Sequence, residues 1–262
     1  MPVTLVMGVL NVTPDSFFDG GRWFDYERAV ARGRELIAQG ADIVDVGGES
    51  TRPGAAVVDE VEECRRVVPV IAALADQVRV SVDTRKAVVA SAAVHAGATL
   101  INDVSATLWP LAAEHGVGWV AMHMQGQPPT MQADPQYHDV VAEVTGYLVD
   151  QAQRAKAAGV TEIWIDPGIG FGKTVHHNLL LLRHLGQLVA TGWPVVVGTS
   201  RKSFLGRLAA GPGQPPLPVD DRLEGSLASA VWAVTRGASM VRVHDVGPTV
   251  QALKLIGELV AA

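Results

Sequence analysis

Eight short apolar, largely β-branched runs recur through the chain, and each is followed by a longer stretch with helical periodicity. The runs are Val3–Val9, Asp42–Val46, Val78–Val82, Thr99–Ile101, Gly118–Met122, Glu162–Ile165, Pro194–Val197 and Met240–Val243. Their apolar residues are mostly consecutive and do not alternate with polar ones, as in strands of a parallel sheet covered on both faces. They recur about every 34 residues, the length of one strand–helix unit. Eight such units in 262 residues predict an α/β fold, a (β/α)8 TIM barrel forming one domain over residues 1–262. The alternative is a doubly wound open sheet, which usually begins with a Gly-rich phosphate turn after its first strand. Here the first run leads into Gly8-Val-Leu-Asn11-Val-Thr-Pro14, which contains no G-x-G-x-x-G.

The segments between the runs support the same reading. In Tyr26–Gln39 the residues Ala29, Val30, Gly33, Leu36 and Ile37 share one helical face. In Tyr137–Ala158, Val140, Val141, Val144, Leu148 and Ala152 do so. Glycines 40, 97, 116, 159, 192 and 237 stand between a helical stretch and the next strand, where a left-handed residue closes a helix. Gly211–Pro218 is rich in proline and glycine but short, so it reads as a loop.

Composition narrows the class further. Apolar residues are 48% of the chain and charged residues 18%, which argues against a disordered or coiled-coil protein. A net charge of −6 predicts no basic face for nucleic acid. A single cysteine, Cys64, excludes an internal disulfide and a cysteine-rich zinc site. Positive charge is missing before Arg22, and no apolar run is long enough to span a bilayer. The expectation is a cytoplasmic protein with no membrane partner.

Barrel enzymes build their sites where the strands end. The residues at those ends are polar throughout: Asn11; Asp45, Glu49, Ser50, Thr51 and Arg52; Asp83 and Arg85; Asn102 and Asp103; His123 and Gln125; Asp166; Ser200, Arg201 and Lys202; Arg242, His244 and Asp245. Part of this pattern is the ordinary wetness of strand ends. Asp and Asn also pair donors with acceptors in a way that suits the edge of a nitrogen heterocycle. Arg52, Arg242, Lys202 and His244 suggest a phosphate or carboxylate contact. Asn11 supplies an oxygen of the kind Mg²⁺ prefers.

Rival motifs fail on their spacing. Gly168-Ile-Gly-Phe-Gly-Lys173-Thr174 looks like a nucleotide loop, but the P-loop pattern needs glycine at 167, where the chain has proline. His176 and His177 are adjacent, so they point to different helix faces and make a poor zinc pair. Lys202 as a Schiff-base lysine is a weaker reading, and Cys64 falls on a predicted helix distant from the strand ends.

The same residues resemble the dihydropteroate synthase family over essentially the whole chain. The segments that carry the resemblance are Met7-Gly-Val-Leu-Asn11-Val-Thr-Pro-Asp-Ser-Phe17, Asp45-Val-Gly-Gly-Glu-Ser-Thr-Arg-Pro-Gly54, Val80-Ser-Val-Asp83-Thr and Ile101-Asn102-Asp103-Val. They continue with Met122-His-Met-Gln-Gly126, Asp166-Pro-Gly-Ile-Gly-Phe-Gly-Lys173, Ser200-Arg-Lys202-Ser203 and Arg242-Val-His244-Asp245. The resemblance implies a transferase of folate biosynthesis. It would join 4-aminobenzoate to 6-hydroxymethyl-7,8-dihydropterin diphosphate through a cation-like, SN1-like state at the pterin methylene. It further implies Mg²⁺, a homodimer and competition by sulfonamides.

Carried over by position, Asp83, Asn102, Met122, Asp166, Gly198 and Lys202 would hold the pterin. Asn11, Arg242 and His244 would hold the diphosphate, with Asn11 near the metal. Phe17, Thr51, Arg52, Pro53, Phe171 and Ser203, beside Lys202, would frame the aminobenzoate. Asp83, Lys202, Arg242 and His244 would carry the chemistry. The loops at 12–22 and 49–58, with Gly20, Gly21 and Gly54, are expected to be mobile when empty and to close over the pterin. Two departures stand out: Phe18 replaces a more usual serine, and the stretch 102–116 is short for the family. The alternatives are a pterin-binding paralogue of the same family without this activity, and a pterin-binding methyltransferase module, which lacks the Ser-Arg-Lys and Arg-Val-His segments in this form.

Overall fold

The computed structural model describes residues 4–13, 22–50, 57–128 and 130–261. Eight parallel strands follow one another: β1 Leu5–Asn11, β2 Ile43–Gly47, β3 Arg79–Asp83, β4 Leu100–Asp103, β5 Gly118–Met122, β6 Ile163–Asp166, β7 Val196–Val197 and β8 Met240–Val243. They are hydrogen-bonded in the order β6-β5-β4-β3-β2-β1-β8-β7. The ring closes where Ile165 bridges Val195 and its N–H donates to the Pro194 carbonyl at 3.0 Å. Pro194 has no N–H to return, so β7 is shorter than the expected Pro194–Val197 and the closing seam is narrow.

The strands also run further than their apolar residues. β1, β3, β4 and β6 carry through to Asn11, Asp83, Asp103 and Asp166. A polar side chain at a strand end leaves the backbone free to keep its ladder partners: Asp83 lies in register with Asn102, and Met122 with Asp166.

The helices are α1 Arg22–Ala38, α2 Glu60–Leu74, α3 Ala87–His95, α4 Trp109–His115, α5 Val140–Ala157, α6 Val175–Arg183, α7 Leu185–Val189, α8 Ser203–Ala209, α9 Leu223–Thr235 and α10 Val246–Ala261. The simple pattern of eight is exceeded in two places among the described residues. The chain leaves helical geometry at His184, dividing α6 from α7. The short α8 also precedes the loop at Gly211–Pro218, which is irregular as expected. Among the described residues no helix is long and apolar enough to cross a membrane.

Two apolar layers hold the barrel. The outer one lies between sheet and helices and contains the predicted faces: Ala29, Val30 and Leu36 from α1, and Val144, Leu148 and Ala152 from α5. The helix ends are set by local chemistry. Asp59 caps α2 by accepting the Glu62 N–H, and Asp139 caps α5 by accepting those of Val141 and Ala142. All six glycines expected to close helices have positive φ. At Gly97 the need is double, because a Cβ there would also lie 2.6 Å from that of Ala75.

The inner layer fills the lumen with Met7, Ile43, Leu100, Val120, Trp164, Val196 and Met240. At the N-terminal end of the strands an ion pair plugs it. Arg79 donates two bonds to Glu162 at 2.8 and 2.6 Å, and the Trp164 indole N–H adds a third at 2.7 Å. Side chains two apart on a strand share a face. The residues following these apolar positions, Asp45 after Ile43 and Asn102 after Leu100, therefore face the opposite, C-terminal mouth.

Leu148 is fully buried in the outer layer, while Val61 on α2 is 79% exposed. Leu148→Ala should lower unfolding free energy by about 2–5 kcal/mol, and Val61→Ala should change it by less than about 0.5 kcal/mol. Urea unfolding of both variants checks this, and equal effects would contradict the layer assignment.

Candidate active site

The mouth is organised by one guanidinium. Arg242, on β8, donates through Nε to Asp45 Oδ2 and through Nη2 to Asp83 Oδ2, both at 2.6 Å. Asn102, on β4, donates to the same Asp45 oxygen at 3.0 Å. Strands β2, β3, β4 and β8 are thereby tied together above the apolar lumen. Burial pushes the Asp83 carboxyl upward; Arg242 pulls it back, and Asp45 adds to the rise. Burial works against the charge on Arg242, yet Asp45 and Asp83 hold its pKa above the ordinary range. Among the described residues, the second oxygen of Asp45 is buried with no partner, as is the hydroxyl of Ser81, its register neighbour on β3.

A second acid–base pair faces this node. Asp166, at the end of β6, accepts the Gly168 N–H at 2.7 Å. Burial raises its pKa, against the pull of Lys202. Burial lowers Lys202 to about 8, while Asp166 opposes that fall. The Lys202 ammonium donates to the Ile169 carbonyl and lies 4.4 Å from the centre of the Phe171 ring. Met122 ends β5 beside Asp166. Gly198 follows β7, and a Cβ there would come 3.7 Å from that of Arg242.

The turn that presents Lys202 is strained and braced. Arg201 has φ of 59°, costly for a residue with a Cβ. It is held by two bonds to Asp245, at 3.0 and 2.6 Å, and by Ser226, whose hydroxyl accepts its N–H at 2.9 Å. Ser200, on the same turn, meets both the backbone N–H and the Nδ1 of His244 at 3.1 Å. Ser203 is exposed in the first turn of α8. Phe17, Phe18, Thr51, Arg52 and Pro53, with glycines 20, 21 and 54, lie outside the described residues. The stems of the second loop are clamped: Glu49 accepts the Val58 N–H at 3.0 Å, and Lys86 bonds the Val58 carbonyl at 2.6 Å and the buried Glu63 at 2.5 Å.

The donor set suits a magnesium ion that arrives with a phosphate ligand. Among the described residues no group of three His, Cys, Asp or Glu could hold a metal ion. Mg²⁺ commonly takes few protein oxygens and completes its shell with water and substrate phosphates. A Cβ built on Gly47 would lie 3.5 Å from the Cβ of Asp83 and 3.8 Å from Oδ1 of Asn11. Glycine at 47 thus leaves open the space between the Asn11 amide oxygen and the Cβ and backbone carbonyl of Asp83.

A family profile described as "Pterin binding enzyme" matches residues 7–244. A dihydropteroate synthase of Mycobacterium leprae is 49% identical over 96% of this chain and 92% of its own. The solved structure of Xanthomonas albilineans dihydropteroate synthase with 4-aminobenzoic acid superposes with a TM-score of 0.91 at 46% identity, covering 99% of this chain and 94% of that one. Another structure of the enzyme from that organism, in complex with 7,8-dihydropteroate, gives a TM-score of 0.87 at 43% identity, covering 99% and 95%. The chain belongs to the dihydropteroate synthase family.

Within this dihydropteroate synthase fold, some polar strand ends have structural work. Asp103 is fully buried. It accepts the N–H groups of Ser105, Thr107 and Leu108, the Ser105 hydroxyl and the Trp119 indole, at 2.5–3.2 Å. It shapes the short β4–α4 turn and, one position on from Asn102, faces away from the lumen. Asp245 is the partner of Arg201. His177 is a capping residue whose Nδ1 accepts the Thr174 N–H. Conversely, the sequence marks Asp45 only as a strand end, although it is the acceptor shared by Arg242 and Asn102. Its lumen-facing parity with Ile43 was the available signal. Lys173 and His123 form a further buried pair at 2.9 Å. Burial, with Lys202 nearby, lowers Lys173 to about 7; burial, with Lys173 beside it, lowers His123 to about 3.

Two predictions follow from these contacts. Asp45→Ala removes a fully buried carboxylate and leaves the half-buried Arg242 without one partner, and should destabilise the fold by about 3–5 kcal/mol in urea unfolding. A loss under 1 kcal/mol, on the order of a surface change, would contradict the node's role. His123 is neutral when folded, whereas the unfolded chain regains a histidine pKa of about 6.5. The unfolded state then binds a proton that the native state refuses. This stabilisation is complete above pH 6.5 and is lost as pH falls toward 3, at up to about 1.4 kcal/mol per pH unit. His123→Gln should therefore show a shallower fall in Tm between pH 6.5 and 4 than wild type; equal slopes would refute the neutral state.

Proposed function

We propose that this chain catalyses the dihydropteroate synthase reaction. It joins 4-aminobenzoate to 6-hydroxymethyl-7,8-dihydropterin diphosphate and releases pyrophosphate and 7,8-dihydropteroate. The observation that carries the reading is the convergence of Asp83, Asn102 and Arg242 on one node, with Asp166 and Lys202 facing it across the same mouth. Three acidic or amide groups match the donors and acceptors along a pterin edge. Lys202 supplies an N–H donor at the same mouth.

The chain's residues suit a dissociative substitution. Asp83 sits between burial, which favours its neutral form, and Arg242, which favours the anion. A positive charge developing on the pterin tips that balance toward the carboxylate, in a setting that needs no reorganisation. Arg242, with two of its five N–H donors on Asp45 and Asp83, would turn others toward the departing diphosphate, and His244 would assist from the Ser200 side. Asn11 and the gap beside Gly47 would hold Mg²⁺, which when bound neutralises diphosphate charge. The arylamine is weakly basic and enters as a neutral nucleophile, so no strong general base is required. Phe171 and Ser203, with Phe17, Thr51, Arg52 and Pro53, would frame it. This reading includes one pterin-binding domain over residues 1–262, a homodimer, a cytoplasmic location and competition by sulfonamides.

Steady-state synthesis of dihydropteroate from the two substrates tests the activity, and no turnover above background would sink it. Asp83→Asn and Arg242→Ala should each lower kcat/KM by about 10² or more. Near wild-type kinetics in both, with folding verified by thermal melting, would refute the assignment. Lys202→Ala should weaken pterin binding, and borohydride should trap no adduct at Lys202.

A further inference from the structure

After Asp166-Pro-Gly168 the chain makes no regular structure, yet four consecutive carbonyls each accept a side-chain donor. Ile169 accepts from Lys202 and Gly170 from Gln132. Phe171 accepts from Lys173 at 3.0 Å, and Gly172 from the Tyr137 hydroxyl at 2.9 Å. The segment is pressed against the exit of β5. A Cβ on Gly168 would lie 1.8 Å from the His123 carbonyl oxygen, and one on Gly172 would lie 2.3 Å from that of Gln125. Both glycines also have positive φ, so neither position admits a side chain.

Lys173 pins this segment to β5. It is 2% exposed, and its Nζ meets His123 Nδ1 at 2.9 Å, the His123 carbonyl at 3.3 Å and the Phe171 carbonyl at 3.0 Å. An ammonium has three N–H donors, and these three uncharged acceptors match them. With Lys173 as an ammonium, the Nδ1 contact calls for the His123 tautomer that carries its proton on Nε2. The Tyr137 ring lies 5.9 Å from Nζ. Groups facing the cluster from neighbouring elements are Tyr147 on α5, whose ring is 5.1 Å from that of His123, and His177 on α6, 5.0 Å from Tyr137. Asp166 and Lys202 act on Lys173 through their charges. None of these bonds serves the reacting groups directly. Their common effect falls on Phe171, whose carbonyl is bonded to Lys173 and whose ring contacts Lys202.

We propose that Lys173, with His123 and Tyr137, is a positioning device that sets the Phe171 ring and so the 4-aminobenzoate side of the site. This rests on the function proposed above. The test compares Lys173→Met and Tyr137→Phe with wild type, measuring KM for each substrate, kcat, and amide hydrogen exchange across residues 166–173. In Lys173→Met the KM for 4-aminobenzoate should rise about 10-fold, as expected when a positioned group shifts by a fraction of an ångström. The KM for the pterin diphosphate and kcat should stay within about twofold. The amides of 169–172 should exchange faster in both variants. Tyr137→Phe loses only one hydroxyl, so it keeps the test alive if Lys173→Met does not fold, and a smaller rise of about 3-fold in the same KM is expected. Equal rises in both KM values, or an unchanged 4-aminobenzoate KM with unchanged exchange, would overturn the proposal. Failure of wild type to turn over would instead sink the functional reading.

Discussion

Arg242 is held between Asp45 and Asp83 at 2.6 Å on each side, and the arrangement of the mouth depends on that bond pair. Two carboxylates above an apolar lumen are expensive to bury without a partner. One guanidinium serves both, because its planar fork reaches two acceptors at once. Asn102 joins the same Asp45 oxygen. The contact therefore orients side chains from four strands that are far apart in the chain, and a ligand meets an array already assembled. Such preorganisation is where electrostatic catalysis gains its advantage over water.

The lumen is graded along its axis. At the N-terminal end the Arg79–Glu162 pair closes it; methionines, branched aliphatics and Trp164 fill the middle; acids, amides and cations occupy the mouth. The grading follows from strand parity. On β2 the lumen-facing sequence is Ile43, Asp45, Gly47, and on β3 it is Arg79, Ser81, Asp83. The apolar middle supplies the low-dielectric floor that pushes Asp83 and Asp166 upward and Lys202 downward. Stability and reactivity thus share a cause: the layer that holds the barrel together also makes the groups above it sensitive to a ligand's charge.

The sequence made the barrel legible because eight apolar runs with intervening helical faces leave few other folds. It also indicated the mouth, since polar residues following apolar runs must face solvent or a partner. Strand limits were harder, because hydrophobicity ends before the hydrogen-bond ladder does, as at Asp83 and Asp166. β7 is shorter than its apolar run because Pro194 contributes a carbonyl but no donor. Nor does residue type separate a ligand contact from an internal acceptor. Asp103 and Asn102 are adjacent and both polar, yet parity sends one to the β4–α4 turn and the other to the lumen. What makes Asp45 central is its 2.6 Å contact with Arg242, a residue 197 positions away in the chain.

The glycine-rich segment 168–173 makes the limit of motif reading concrete. Its composition suggests a phosphate loop, whose function is to aim backbone N–H groups at an anion. Here three of its N–H groups already have partners within the protein. That of Gly168 goes to Asp166, that of Gly170 to Asn178 and that of Phe171 to the Gly168 carbonyl. The carbonyls, by contrast, collect donors, among them the two lysines at 173 and 202. The loop has the opposite polarity from a phosphate cradle: it gathers cations. The glycines at 168 and 172 are required by close approach to the backbone at the exit of β5. A glycine pattern therefore reports that backbone comes near something, and only the direction of the N–H and C=O groups tells what. In this chain that something is the exit of the neighbouring strand, and the consequence is a Lys202 held between the Ile169 carbonyl and the Phe171 ring, under the charge of Asp166, at the edge of the mouth.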